Sequence, residues 1–141
     1  MAVEFKHGEL TQKIIAVFYE VYNELGHGFG ESVYEKSMLI ALREAGLIVQ
    51  YKHQITVLFR NQNVGDFEAD LLVEGLVLLE LKAGRAIDPA HDAQLLNYLR
   101  ATPIEVGLLL LFGPKPEFKR LAYDNQRKRI GPPQKPPPPA G

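Results

Sequence analysis

Asp70, Glu80 and Lys82 lie in two short apolar runs, Phe67-Glu68-Ala69-Asp70-Leu71-Leu72-Val73 and Leu76-Val77-Leu78-Leu79-Glu80-Leu81-Lys82. Both runs read as neighbouring strands. Charges inside Leu- and Val-built strands are costly unless they are paired or bind metal. Two carboxylates and an ammonium group suit a hard divalent cation, Mg²⁺ or Mn²⁺, that handles a phosphate ester. Asp70 and Glu80 would supply carboxylate oxygens, and the backbone carbonyl of Leu81 can add a ligand between them. Lys82 is a compact charge that can orient an attacking water or offset charge building on the phosphate. Alone, a Glu-x-Lys tripeptide is better read as a surface ion pair at a strand end, because such tripeptides are common.

The pair also demands a register. Side chains alternate along a strand, so Glu80 and Lys82 share one face while Leu79 and Leu81 point to the other. A two-residue turn at Glu74-Gly75 would set Asp70 opposite Leu79. A three-residue turn over Glu74-Gly75-Leu76, or a bulge at Gly75, sets it opposite Glu80.

Two further patterns flank these strands. Gly28-Phe29-Gly30-Glu31-Ser32-Val33-Tyr34 is a G-x-x-E-x-x-Y pattern at a helix start. Glu31, Tyr34 and Glu35 share a helical face. An acid in a first turn is also favoured by the helix dipole alone. Gln94-Leu95-Leu96-Asn97-Tyr98 is a Q-x-x-x-Y pattern. His91, Gln94 and Tyr98 would form a polar stripe, while Leu95, Leu96 and Leu99 pack. An ordinary amphipathic helix gives the same pattern. Tyr51, Lys52, His53 and Gln54 could touch a phosphate backbone or form a solvated strand edge. His27 sits in a glycine-rich turn where a ligand could approach.

The elements that must position these groups follow from periodicity. Leu10, Ile14, Phe18, Val21 and Leu25 mark an amphipathic helix ending near Gly26. A second helix runs from about Glu31 to Ala45, with Gly46 as its stop. An extended segment follows from Ile48 to Arg60, and Asn61-Gln62-Asn63 turns the chain into the Asp70 strand. Asp88 can cap and Pro89 can open a helix to Arg100. Pro103 stops it. Val106 to Phe112 suits a fully buried strand, and Phe118 to Tyr123 an edge strand. The order α-α-β-β-β-α-β implies an α/β fold, a mixed sheet flanked by helices. The reading gives one domain over 1–124 and a basic, then Pro-rich, disordered tail over 125–141.

Composition narrows the chemistry. The 141 residues suffice for one core, with 46% apolar and 23% charged residues. Without cysteine there is no disulfide, iron–sulfur or thiolate-zinc site, and no two of the four histidines have zinc-site spacing. Any metal should therefore have oxygen ligands. No apolar run reaches membrane-span length and the N-terminus is no signal peptide, so the expected location is cytoplasmic. Residues 115–141 carry seven basic against two acidic side chains. Such a segment can grip phosphates or form a solvated tail.

The ordered motifs resemble the GxxExxY proteins, a bacterial family placed near the PD-(D/E)xK nuclease superfamily. Gly28, Glu31 and Tyr34 match the naming motif. The resemblance covers about residues 8–122 and includes Glu24-Leu25-Gly26, Ala69-Asp70, Glu80-Leu81-Lys82-Ala83, and His91 and Gln94 through Tyr98. It implies a restriction-endonuclease-like core with Asp70, Glu80 and Lys82 as metal and catalytic centre. Glu31 would complete the metal shell from its helix. Gln94 and Tyr98 resemble the Q-x-x-x-Y element of RecB-like exonucleases, which lies beside the nucleic-acid strand. Ala69 replaces the proline of the superfamily name, and the cysteine cluster of some such exonucleases is absent. The expectation is a metal-dependent phosphodiesterase acting on DNA, and by analogy a homodimer. The alternative is a catalytically silent nucleic-acid or protein-binding module of the same fold, with the Pro-rich tail available to a protein partner.

Overall fold

The computed structural model describes residues 6–130; the Pro-rich tail expected to be disordered lies outside them. Helix α1 (Gly8–Leu25) buries Thr11, Ile14, Val17, Phe18 and Val21. Helix α2 (Glu31–Glu44) buries Tyr34, Glu35, Met38 and Leu42. Strands β1 (Val49–Phe59), β2 (Gln62–Val73) and β3 (Val77–Ala83) precede helix α3 (Pro89–Ala101). Strands β4 (Val106–Phe112) and β5 (Pro116–Ala122) and a 3-10 turn (Asn125–Arg127) follow.

The strands form one sheet in the order β1-β2-β3-β4-β5. β3 and β4 are parallel, joined through α3. The other neighbours are antiparallel. On one face α1 and α2 pack over Val49, Leu71, Val73, Leu79, Leu81, Leu108 and Leu110. On the other α3 packs over Ile55, Ala69, Leu72, Leu78 and Leu109. Every residue of β4 is buried, as a strand covered on both faces requires. The α/β class, the element order and the edge position of β5 match the sequence reading.

Three differences have local causes. β2 begins at Gln62 because the hairpin turns at Arg60 and Asn61, both left-handed (φ 50° and 65°). Residues 62–64 are exposed, so no apolar alternation betrays them as strand. His91 joins no polar stripe: its Nδ1 accepts from the Asp88 N–H (3.3 Å) while Asp88 Oδ1 accepts from the Ala90 N–H (2.8 Å), which caps α3. The chain also stays packed beyond residue 124. Lys128 Nζ donates to the carbonyls of Thr102 (2.6 Å) and Ile104 (2.7 Å). Burial there pushes its pKa down to about 8.

Candidate functional site at the fork of the sheet

The turn between β2 and β3 spans Glu74, Gly75 and Leu76, and the Leu76 N–H closes it on the Val73 carbonyl (2.9 Å). The strands pair Val73 with Val77, Leu72 with Leu78 and Leu71 with Leu79. The next position sets Asp70 against Glu80, the register required of a shared site. There the ladder ends and side chains replace it. The Asp70 N–H donates to Glu80 Oε1 (3.2 Å). The Leu81 N–H donates to Asp70 Oδ2 (2.8 Å). Beyond this point β2 continues with β1 alone, so the sheet forks at the two carboxylates.

β1 contributes the opposite side of the fork. Its pairing with β2 runs Tyr51 to Leu71 and His53 to Ala69, leaving Lys52 across from Asp70. Lys52 is left-handed (φ 58°), a conformation costing a side-chain-bearing residue about 1–2 kcal/mol. The kink breaks alternation. Val49 and Leu71 belong to the α1/α2 core, whereas Ile55 and Ala69, of the same parity, belong to the α3 core. Lys52 Nζ thereby forms an ion pair with Glu35, a buried carboxylate on α2. This partner holds the Lys52 ammonium above the ordinary lysine range.

Burial dominates the electrostatics of the pair. Glu80 is 4% exposed. Burial, then the Asp70 charge, push the Glu80 pKa up to about 8. Burial pushes Asp70 up to about 6, opposed by the Leu81 N–H; Glu35 adds to the rise. Lys82 pulls both down but does not reverse either shift. At neutral pH the pair therefore retains a proton, mainly on Glu80.

The remaining expected residues divide. Lys82 is half-buried on β3, two residues beyond Glu80. Leu81 is fully buried in the α1/α2 core, with its N–H given to Asp70. Tyr98 is 6% exposed rather than on a polar face. Burial, then the charges of Glu80 and Asp70, raise its pKa, which ties α3 to the fork. Gln94 is exposed one helical turn before it. Glu31 is exposed in the first turn of α2. The α2 acid felt by Asp70 and Glu80 is Glu35. The sequence did signal this, since Glu35 interrupts the apolar stripe Tyr34, Met38 and Leu42. Tyr34 has a scaffold role: its hydroxyl donates to the Gly26 carbonyl (2.8 Å) and accepts from the Phe29 N–H (3.3 Å). Its ring stacks on Phe112 at 4.0 Å. His27 is exposed in the turn that Tyr34 clamps.

A model of the PD-(D/E)XK nuclease superfamily matches residues 8–121. The chain belongs to that superfamily. The mixed sheet with helices on both faces agrees with it. No curated protein matches. Among solved structures, one titled "Crystal structure of SSO0001" is similar at 14% identity with a TM-score of 0.53, a likeness of fold alone. The match covers 66% of this chain and 50% of that one, so the chain spans half the length of that relative. No helix among the described residues is long and apolar enough to cross a membrane.

The carboxylates of the fork are hard oxygen donors, the class of ligand that Mg²⁺ or Mn²⁺ takes. Yet among the described residues no group of three or more His, Asp or Glu is set to hold a metal. Of the acids named for a metal shell, the fork brings Asp70 and Glu80 together, each with one oxygen accepting a backbone N–H, while Glu31 is exposed in the first turn of α2 and Glu35 is paired to Lys52.

Proposed function

We propose that this chain is a nucleic-acid-binding module of the PD-(D/E)XK fold that receives a phosphate backbone at the fork between β2 and β3. The observation supporting binding over preassembled hydrolytic chemistry is the state of the acids. Asp70 and Glu80 are turned onto backbone N–H groups, and Glu35 is neutralised by Lys52. Lys82, whose charge acts on both carboxylates, is the cation beside the fork that can meet phosphate oxygens, while Lys52 stays on Glu35.

A second reading, metal-dependent phosphodiester hydrolysis of DNA, is favoured by the register that faces Asp70 with Glu80 two residues before Lys82. Asp70, Glu80 and the Leu81 carbonyl would hold Mg²⁺ or Mn²⁺, with Glu35 or Glu31 as the acid from α2. The bound ion would polarise the phosphate and acidify a water. Glu35 must then release Lys52, and Lys82 would orient the water and offset phosphate charge. Gln94 and Tyr98 would position the strand. Gly28, Glu31 and Tyr34 support the finer assignment to the GxxExxY proteins. By analogy this reading includes a cytoplasmic homodimer, whereas the binding-module reading gives the Pro-rich tail, 131–141, to a protein partner.

Linear duplex, single-stranded and branched DNA, with and without Mg²⁺ or Mn²⁺, test both readings. The module reading expects salt-dependent binding without cleavage, weakened by Lys82→Ala. Metal-dependent cleavage lost in Asp70→Ala and Lys82→Ala would establish hydrolysis instead. No affinity for nucleic acid at low salt would sink both.

A further inference from the structure

A groove of about 630 Å³ lies between α3 and the ribbon that β1 and β2 form beyond the fork. Val57, Phe67, Gln94, Asn97, Tyr98 and Arg100 line it. Phe67 is 46% exposed, an unusual setting for a ring beside a charged site. Its position is defined on two sides. The ring meets Tyr98 with centroids 5.9 Å apart at 44°. A Cβ built on Gly65 would fall 2.9 Å from Phe67 Cε2, so the ring lies where only glycine leaves room.

We propose that this groove seats an unpaired nucleobase of a single-stranded segment, stacked on Phe67; the proposal rests on the nucleic-acid reading above. An exposed aromatic face accepts any base, because every base has a π-face. The groove supplies what the rest of a nucleotide needs. The Gln94 and Asn97 amides offer donors and acceptors to a base edge. Arg100 donates to Asn97 Oδ1 (3.1 Å), placing a guanidinium at the rim for a phosphate. Tyr98 connects the groove to the carboxylates, whose charges it feels. A base seated here would leave its backbone running toward the fork. A paired base in an intact duplex cannot present its face to the ring, so the groove selects single-stranded or splayed nucleic acid.

The test uses the full chain with a single-stranded oligonucleotide carrying 2-aminopurine, the same strand with abasic positions, and a blunt duplex. The wild type should quench 2-aminopurine and bind the abasic strand about tenfold more weakly, in the range of one stacked base. Phe67→Ala should abolish quenching and weaken the intact strand by the same factor, with duplex affinity within about twofold. Phe67→Tyr should retain quenching, and Gly65→Ala, which displaces the ring without removing it, should reduce it. Equal affinity for intact and abasic strands, or unchanged quenching in Phe67→Ala, overturns the stacking site while leaving the binding reading intact. Failure to bind any nucleic acid overturns both. A wild-type dimer that dissociates in Phe67→Ala would give this face to a second copy and refute the proposal.

Discussion

Glu80→Gln should make the protein more stable in mild alkali and should flatten its pH dependence. The native Glu80 pKa of about 8 stands well above its ordinary 4.5. Below about pH 4.5 Glu80 is protonated in folded and unfolded chains and costs nothing. As pH rises, the unfolded chain releases this proton while the folded chain keeps it. Stability then falls by about 1.4 kcal/mol per pH unit until native Glu80 ionises near pH 8. The accumulated loss is on the order of 5 kcal/mol. Asp70 adds a smaller loss of the same sign between its ordinary 3.8 and about 6, reduced by its partial exposure to solvent. Glutamine keeps the shape and the oxygen that accepts from the Asp70 N–H but never ionises. The variant should therefore match wild type within about 1 kcal/mol near pH 4.5 and melt roughly 10–20 °C higher near pH 9. Thermal and urea unfolding across this range provide the assay. A wild-type curve showing no loss between pH 5 and 8, or a variant retaining the wild-type slope, refutes the reasoning. Repeating the alkaline melt with Mg²⁺ extends the test. A cation held by the pair would stabilise wild type and not Glu80→Gln.

Two further substitutions probe the scaffold around the fork. In Gly107→Ala the new Cβ would lie 2.9 Å from Leu95 Cδ1, and Leu95 is fully buried. Urea unfolding should show a loss of about 2 kcal/mol; an unchanged midpoint would mean that α3 slides freely on β4. Lys52→Met strands the buried Glu35 carboxylate and should cost about 2 kcal/mol, less than a fully buried pair because Lys52 is partly exposed. The double variant with Glu35→Gln should recover most of that loss, and a double-mutant cycle without coupling would contradict the ion pair's role.

Much of the scaffold was legible because it rests on burial with a fixed period. Ile14, Phe18 and Val21 recur at helical spacing, and the seven apolar residues of β4 can only be a covered strand. Tyr98 was harder to read. A tyrosine three residues after an apolar Leu95 scans as either face of a helix, and its burial depends on Ile55 arriving from β1 and Phe67 from β2. Glu35 followed the same logic: its position in the α2 stripe was visible, but its partner came from a strand beyond the next turn.

The sequence by itself determined the kinds and order of elements, the hard-oxygen character of the site, and the short list of turns able to bring Asp70 to Glu80. These depend on periodicity, composition and local turn chemistry, which neighbouring residues specify. Tertiary structure alone decided which turn was used, which α2 acid reaches the fork, and that Lys52 leaves its strand's alternation to neutralise that acid. It also decided where Phe67 lies relative to α3. Those outcomes depend on how desolvation, pairing and backbone strain balance among residues far apart in the chain, so no local pattern encodes them.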